Sequence, residues 1–193
     1  MKVKIAVLLI AFLSHSVSAQ VKYEREFRIK KSQFPEASFQ MAAPYLDGVR
    51  KLRFYKEIDS SNQRFKMKFK RDKLYYSLEF SDQDALEAIE ILIESIDIPE
   101  DSFNAMQAYL NVEFANFKIR KIHQQYPRKA FSSAEETFRN AFQNLILEEI
   151  RYELLVASKT ADGKLDYEIF FDSRGQFLAR RKSLPPNYDH VLY

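Results

Sequence analysis

The sequence predicts an α+β protein built from two repeats, each made of one helix followed by four antiparallel strands. Two observations predict this fold. A motif of an apolar residue, Pro, Glu, any residue, Ser and Phe occurs at Phe34–Phe39 and again sixty-four positions later at Ile98–Phe103. After each copy, the spacing of the apolar residues changes from a helical period to a period of two, which is typical of strands.

The first nineteen residues have the three parts of a signal peptide. Lys2 and Lys4 give a positive start, Ile5–Leu13 is a short apolar run, and small residues lead up to Ala19. We therefore expect cleavage near Ala19 and export of the remainder. Because the apolar run is shorter than the roughly 20 residues that cross a bilayer as a helix, the mature chain is expected to be periplasmic or secreted, without stable membrane insertion.

Composition limits the compartment and the partners. The chain contains no cysteine, so it has neither a disulfide framework nor the lipid-anchoring cysteine of a bacterial lipoprotein. Once Lys2 and Lys4 leave with the signal peptide, 28 Lys and Arg residues stand against 27 Asp and Glu residues. This balance does not predict a nucleic-acid partner, and a Gram-negative periplasm fits the composition best.

The first repeat, residues 20–97, starts with a predicted strand at Val21–Lys31. A helix is predicted to begin at Pro35, because proline suits the first helical turn and the glutamate after it favours the positive end of the helix dipole. The predicted strands that follow are Val49–Ile58, Arg64–Lys70, Leu74–Phe80 and Leu86–Ile93. A helix is an alternative for the last of these, since Ala85–Ala88 would also suit a helix.

The second repeat, residues 98–184, follows the same order and contains one addition. Its first helix is predicted to begin at Pro99. A helical insertion at about 127–148 contains a predicted helix at Ser132–Leu147, where a serine followed three residues later by a glutamate matches a capping box. The predicted strands are Phe117–Gln124, Ile150–Ser158, Leu165–Phe171 and Gln176–Lys182. Residues 185–193 are expected to form an irregular tail, because two prolines break the last strand.

Four segments together resemble one known family. They are the helix-opening motifs Phe34–Glu36 and Ile98–Glu100, the hairpin Arg64–Phe80 and the turn Phe171–Gly175. In this order they resemble the PepSY-like, β-lactamase-inhibitor-like domains of exported Bacteroidota proteins, although Asp84 and Ala85 stand where the family turn would carry glycine. The resemblance implies a tandem repeat of a helix on a curved, antiparallel four-stranded sheet. It also implies a periplasmic location and a non-enzymatic role in protein binding or protease regulation.

Enzyme motifs are missing from the sequence. It has no Gly-x-Ser-x-Gly motif, no cysteine and only three scattered glycines, which cannot form a phosphate-binding loop. The histidines, at positions 15, 123 and 190, are far apart in the sequence. We therefore predict no catalytic residue, no metal site and no cofactor, and expect His123 on the solvated face of its strand beside Lys121 and Gln125.

The candidate binding surface comes from the alternation in Arg64–Lys70. This segment places its basic side chains on one sheet face and its apolar side chains on the other. The contacts predicted on the basic face and its neighbouring strands are Arg53, Tyr55, Lys66, Lys68 and Tyr75, and Tyr152 is predicted to be exposed as well. The alternative is a solvated face whose lysines prevent edge-to-edge aggregation.

The sequence leaves two functions open. The leading one is a binding or inhibitory module that holds an envelope protein or a protease on the concave outer face of its sheets. The alternative is a carrier of a small anionic ligand or an envelope glycan, with a pocket between helix and sheet. An exported hydrolase of unfamiliar type is a distant third.

Overall fold

A computed structural model describes residues 21–22, 24–59, 62–160 and 163–183. The predicted signal peptide and the predicted tail lie outside these ranges. Within them, no helix has both the length and the apolar character that crossing a membrane requires.

The described residues form three α-helices, four short 3-10 helices and ten strands. The α-helices are α1 (Glu36–Ala42), α2 (Glu100–Glu113) and α3 (Ala134–Phe142). The strands are β1 (Val21–Lys22), β2 (Glu24–Ile29), β3 (Arg50–Asp59), β4 (Asn62–Arg71), β5 (Leu74–Ser81), β6 (Leu86–Ile93), β7 (Phe117–Pro127), β8 (Arg151–Thr160), β9 (Gly163–Asp172) and β10 (Phe177–Ser183). Both α1 and α2 are therefore followed by four strands, and α3 lies between β7 and β8.

All ten strands belong to one sheet, in the order β1-β10-β9-β8-β7-β6-β5-β4-β3-β2. Every neighbouring pair is antiparallel except β1 and β10, which are parallel. The strands expected in two four-stranded sheets thus form one continuous sheet, because β6 and β7 are hydrogen-bonded to each other across the connection that contains α2.

The N-terminal segment joins the two edges of this sheet. Val21 and Lys22 pair with the end of β10, whereas β2 pairs with β3. One residue separates β1 from β2, so the two edges approach each other at one end and the sheet curls around one of its faces. We call this the concave face; it carries Tyr55, Lys66 and Glu90.

The hydrophobic core lies on the opposite, convex face, which carries the fully buried Met67, Leu78 and Leu154. The helices cover this face. Tyr45, just after α1, stacks on Phe138 of α3 with the ring centroids 4.2 Å apart. The inserted helix is therefore part of the core and does not cover the concave face.

The structure decides one alternative and changes two further sequence predictions. The helix alternative for Leu86–Ile93 is wrong, because this segment is β6 and pairs with strands on both sides. The inserted helix is shorter than Ser132–Leu147; it ends at Phe142, and Asn144 takes a positive φ of 49° that a continuing helix cannot accommodate. Tyr152 is not exposed but fully buried, because it shares the convex face with Leu154.

Candidate functional site

The concave face encloses a cavity of about 1170 Å³ that is lined by every strand from β2 to β10. Its lining is rich in charge, with ten Lys and Arg and six Glu side chains, which leaves an excess of four positive charges. The sequence alternation explains this polarity, because the apolar residues of the same strands face the helices. The cavity is therefore a positively charged depression in a sheet.

All five contact residues predicted from the sequence line this cavity: Arg53, Tyr55, Lys66, Lys68 and Tyr75. Strand register brings them together, because Arg53 lies opposite Lys68 and Tyr55 lies opposite Lys66. The Lys68 ammonium lies 4.7 Å from the centroid of the Tyr55 ring. Tyr75, on the next strand, is 43% exposed.

Two of these predicted contacts are ion-paired within the sheet. Lys66 Nζ lies 2.5 Å from Glu57 and 2.8 Å from Glu79, and Glu57 is fully buried. Lys68 Nζ lies 2.7 Å from Glu26. Because a buried carboxylate depends on its paired cation, Lys66 has a structural role whether or not it contacts a ligand.

Other cations on the concave face have no ion-pair partner in the part of the chain that the structure describes. They are the exposed Lys51, Arg53, Lys121 and Lys129. Three carboxylates of the same face are instead paired with its cations: Glu26 of β2, Glu79 of β5 and Glu87 of β6. The charges of the concave face that remain available to a partner at these four positions are therefore positive.

A cluster of acidic residues lies further along the floor of the cavity. Glu90 of β6 is 8% exposed, and Gln125 Nε2 of β7 donates a 3.1 Å hydrogen bond to its carboxylate. Burial raises the pKa of the Glu90 carboxyl well above its usual value, and the carboxylates of Glu79 and Glu153 raise it further. Lys66 and the Gln125 hydrogen bond act in the opposite direction.

His123 belongs to this cluster, although the sequence placed it on a solvated strand face. Its side chain is 29% exposed, and Nδ1 lies 3.5 Å from Glu153 Oε2. One potential ligand atom from each of Glu90, His123 and Glu153 lies within 4.8 Å of the other two. Sequence reasoning missed this group because its members are about thirty positions apart. Only the pairing of β6, β7 and β8 brings them side by side.

Comparisons with known proteins identify relatives by structure alone. No protein-family model and no curated protein matches the sequence. A DUF2874 family protein from Bacteroides ovatus ATCC 8483 aligns with a TM-score of 0.54 and 12% identity, over 82% of this chain and 94% of that chain. A protein from Bacteroides eggerthii DSM 20697, described as a proposed periplasmic protein, aligns with a TM-score of 0.50 and 11% identity, over 77% and 88%.

A BLIP-like protein from Bacteroides fragilis NCTC 9343 aligns less closely, with a TM-score of 0.47 and 11% identity, over 83% of this chain and 92% of that chain. At such identities, the similarity to the first two structures establishes a shared fold. The chain thus has the fold of a group of Bacteroides proteins and spans most of their length.

Proposed function

We propose that this chain is a periplasmic binding or inhibitory module without catalytic activity, and that its concave face holds an acidic surface of a partner protein. The resemblance of the sequence motifs to PepSY-like, β-lactamase-inhibitor-like domains supports this proposal, and the fold shared with Bacteroides proteins is consistent with it. The order of one helix and four strands in both halves supports a tandem repeat. The expected export signal and the proposed location of one structural neighbour support the periplasm.

The positively charged cavity carries this proposal. Helices cover the convex face, so the concave face is the sheet surface that is open to a partner. Its outer carboxylates are neutralised by cations of the same face, whereas Lys51, Arg53, Lys121 and Lys129 remain without ion pairs in the described chain. An acidic surface would complement these cations and be attracted to them before contact.

Exposed apolar side chains among these charges supply the other requirement of a protein interface. The cavity is lined by Phe27, Tyr75, Leu92 and Leu178, which are 39%, 43%, 36% and 47% exposed. Aromatic residues of this kind, placed among charges, carry much of the binding energy at protein interfaces. The face thus combines anchors for packing with cations for steering.

The cavity is less suited to a small ligand. Its volume of about 1170 Å³ lies above the range of roughly 300–1,000 Å³ found for small-molecule pockets, and it is lined by sixteen Lys, Arg and Glu residues where such pockets carry only a few polar groups. The pocket between helix and sheet that the carrier hypothesis placed there is occupied by core side chains, including Phe34, Met106 and Phe138. A small anion would therefore also have to bind on the concave face.

The test is a capture experiment followed by a measured affinity. Tag-free protein comprising residues 20–193 is immobilised and exposed to periplasmic extract, and each retained protein is identified, purified and titrated. We expect Arg53→Glu and Tyr75→Ala to weaken binding about tenfold or more. The control is Lys118→Glu, an exposed site that does not line the cavity.

If neither Arg53→Glu nor Tyr75→Ala changes the affinity for the partner, the proposed surface is refuted. Native mass spectrometry of the purified protein tests the carrier hypothesis. A carrier would retain a small molecule, and the mass of this molecule would be lost from the Arg53→Glu variant. Lys66→Glu is unsuitable as a probe, because it places a third carboxylate beside Glu57 and Glu79 and would weaken the fold itself.

A further inference from the structure

We propose that Glu90, His123 and Glu153 bind one divalent transition-metal ion, with Zn²⁺ as the ion that this donor set fits best. This site lies on the floor of the same cavity, but the proposal does not depend on the partner surface proposed above. The three residues come from β6, β7 and β8, which are adjacent, hydrogen-bonded strands of the sheet. A potential ligand atom of each lies within 4.8 Å of the others.

The spacing of His123 and Glu153 matches a pair of metal ligands. Nδ1 and Oε2 are 3.5 Å apart, which is longer than an ordinary N–H···O hydrogen bond of about 2.9–3.0 Å. Two ligands at about 2.0–2.1 Å from a tetrahedral Zn²⁺ are themselves about 3.4 Å apart. This pair could therefore share one ion almost without moving, and the Glu90 carboxylate, within 4.8 Å of both, would supply the third ligand by moving closer.

The surroundings of Glu90 also favour a cation. Glu90 is more than nine-tenths buried, its side chain accepts a hydrogen bond from the neutral amide of Gln125, and no cation lies within ion-pair distance of it in the described chain. Ser77 lies directly opposite Glu90 on β5. The Ser77 hydroxyl oxygen is buried and has no hydrogen-bond partner among the described residues. A bound ion with its water would satisfy both groups.

Lys66 is the cation that most affects Glu90 electrostatically, but it is already ion-paired with two other carboxylates. Its ammonium lies within ion-pair distance of Glu57 and Glu79. Lys66 therefore neutralises the β3 and β5 side of the cavity, whereas Glu90 has no cation within ion-pair distance among the described residues. A divalent ion supplies a positive charge at the point where the carboxylates are closest together.

The donor set indicates the class of metal. Imidazole suits Zn²⁺ and other late transition metals, whereas Ca²⁺ and Mg²⁺ prefer sites made wholly of oxygen ligands. Three protein ligands leave at least one coordination position open toward the cavity, unlike the closed four-ligand sites of structural zinc. An exchangeable ligand, either water or a carboxylate, would complete the coordination.

The test uses tag-free protein comprising residues 20–193, stripped of metal with a chelator and titrated with ZnCl₂ by calorimetry. We expect one Zn²⁺ per chain, an affinity for Zn²⁺ well above that for Ca²⁺, and about tenfold or greater weakening in Glu90→Gln and His123→Asn. Glu149→Gln, at an exposed loop position, is the matched control and should bind as the unmodified protein does. Arg53→Glu should also keep its zinc affinity, so failure of the partner surface is distinguishable from failure of this site.

A second measurement avoids altering the site. The mature chain has two histidines, His123 and His190, so His190→Asn leaves His123 as its single imidazole. Addition of Zn²⁺ should then shift the ring resonances of His123 in NMR spectra. The site is refuted if no Zn²⁺ binds, if the ring resonances do not move, or if both ligand variants bind like the control, which would mean an adventitious ion only.

Discussion

The hydroxyl of Ser102 donates a 2.8 Å hydrogen bond to the main-chain carbonyl of Ser173, seventy-one positions further along the chain. Ser102 lies on α2, and Ser173 lies in the turn between β9 and β10, so this bond ties the helix to the last hairpin of its half. Ser38 on α1 makes the corresponding contact in the first half, donating a 2.9 Å hydrogen bond to Asp84 in the turn between β5 and β6. The serine of the repeated motif thus connects each helix to the last turn of its half.

Ser102→Ala tests this connection. Ser102 is 8% exposed, so the alanine variant leaves the Ser173 carbonyl without this donor, and we expect the free energy of unfolding to fall by about 1 kcal/mol. Urea denaturation followed by circular dichroism measures the change. Ser95→Ala, at an exposed position before α2, is the control and should change stability by less than about 0.5 kcal/mol. Equal stability of the two variants would show that the bond contributes nothing.

The β5–β6 turn and the β9–β10 turn have the same pattern of hydrogen bonds, although their sequences differ. Ser81 Oγ accepts hydrogen bonds from the main-chain N–H groups two and four residues later, and Asp172 Oδ1 accepts the same two bonds in its own turn. The third residue after each acceptor has a positive φ, 62° at Asp84 and 78° at Gly175. Aspartate tolerates this conformation better than most residues with a side chain, so Asp84 can occupy the position that is glycine in the second half.

Gly175→Ala should be strongly destabilising. An added Cβ would lie 2.1 Å from the main-chain oxygen of Ser102, and the residue would also keep a positive φ. We expect a loss of about 3 kcal/mol or more, since the clash adds to about 1 kcal/mol of backbone strain. Gly48→Ala measures the backbone strain without the clash, because Gly48 has a φ of 68° and no atom lies within 4 Å of an added Cβ. A loss at Gly175 no larger than the loss at Gly48, measured by urea denaturation, would contradict close packing between turn and helix.

Local patterns were sufficient to predict most elements of this fold. The helices at Pro35 and Pro99 and the strand from Arg64 to Lys70 depend on neighbouring residues, and the structure places them where expected. Strict alternation also predicted that Lys66 and Lys68 share a face. These features need no knowledge of distant contacts, and the sequence carries them directly.

The remaining features depend on which strands become neighbours. Nothing local indicates that β1 pairs with β10, and this closure turns the basic face into a cavity. The group of Glu90, His123 and Glu153 likewise requires the pairing of three strands from both halves. The prediction that Tyr152 is exposed was wrong, because Tyr152 shares its sheet face with the buried Leu154, and burial of an aromatic ring outweighs the cost of burying one hydroxyl.

Lys66→Met should destabilise the protein by about 3 kcal/mol, because it removes a cation from the fully buried Glu57. Arg64 is a second cation at this carboxylate, and at 3.4 Å it is too far away to replace Lys66 fully. Adding Glu57→Gln removes the buried charge, so the double variant should recover much of the loss. Thermal unfolding of the two single variants and the double variant measures the coupling. Purely additive losses would show that the two groups do not interact.

Tyr152→Phe should stabilise the protein, with an effect that grows at alkaline pH. The Tyr152 hydroxyl is buried without a hydrogen-bond partner among the described residues, so its removal should raise the free energy of unfolding by about 1 kcal/mol at pH 7. Burial raises the pKa of Tyr152 from 10.0 to about 12, so the folded protein keeps this proton after the unfolded chain has lost it.

The stability linked to this group is therefore complete below about pH 10 and is lost as the pH rises toward about 12, at up to about 1.4 kcal/mol per pH unit. The Tyr152→Phe variant has no hydroxyl to titrate, so it does not lose this stability. The difference in the free energy of unfolding between this variant and the unmodified protein should therefore increase between pH 9 and about pH 11. Urea denaturation at a series of pH values measures it, with Tyr75→Phe at an exposed position as the control. An advantage that stays constant across this range would show that the unfolded and folded chains release the Tyr152 proton alike.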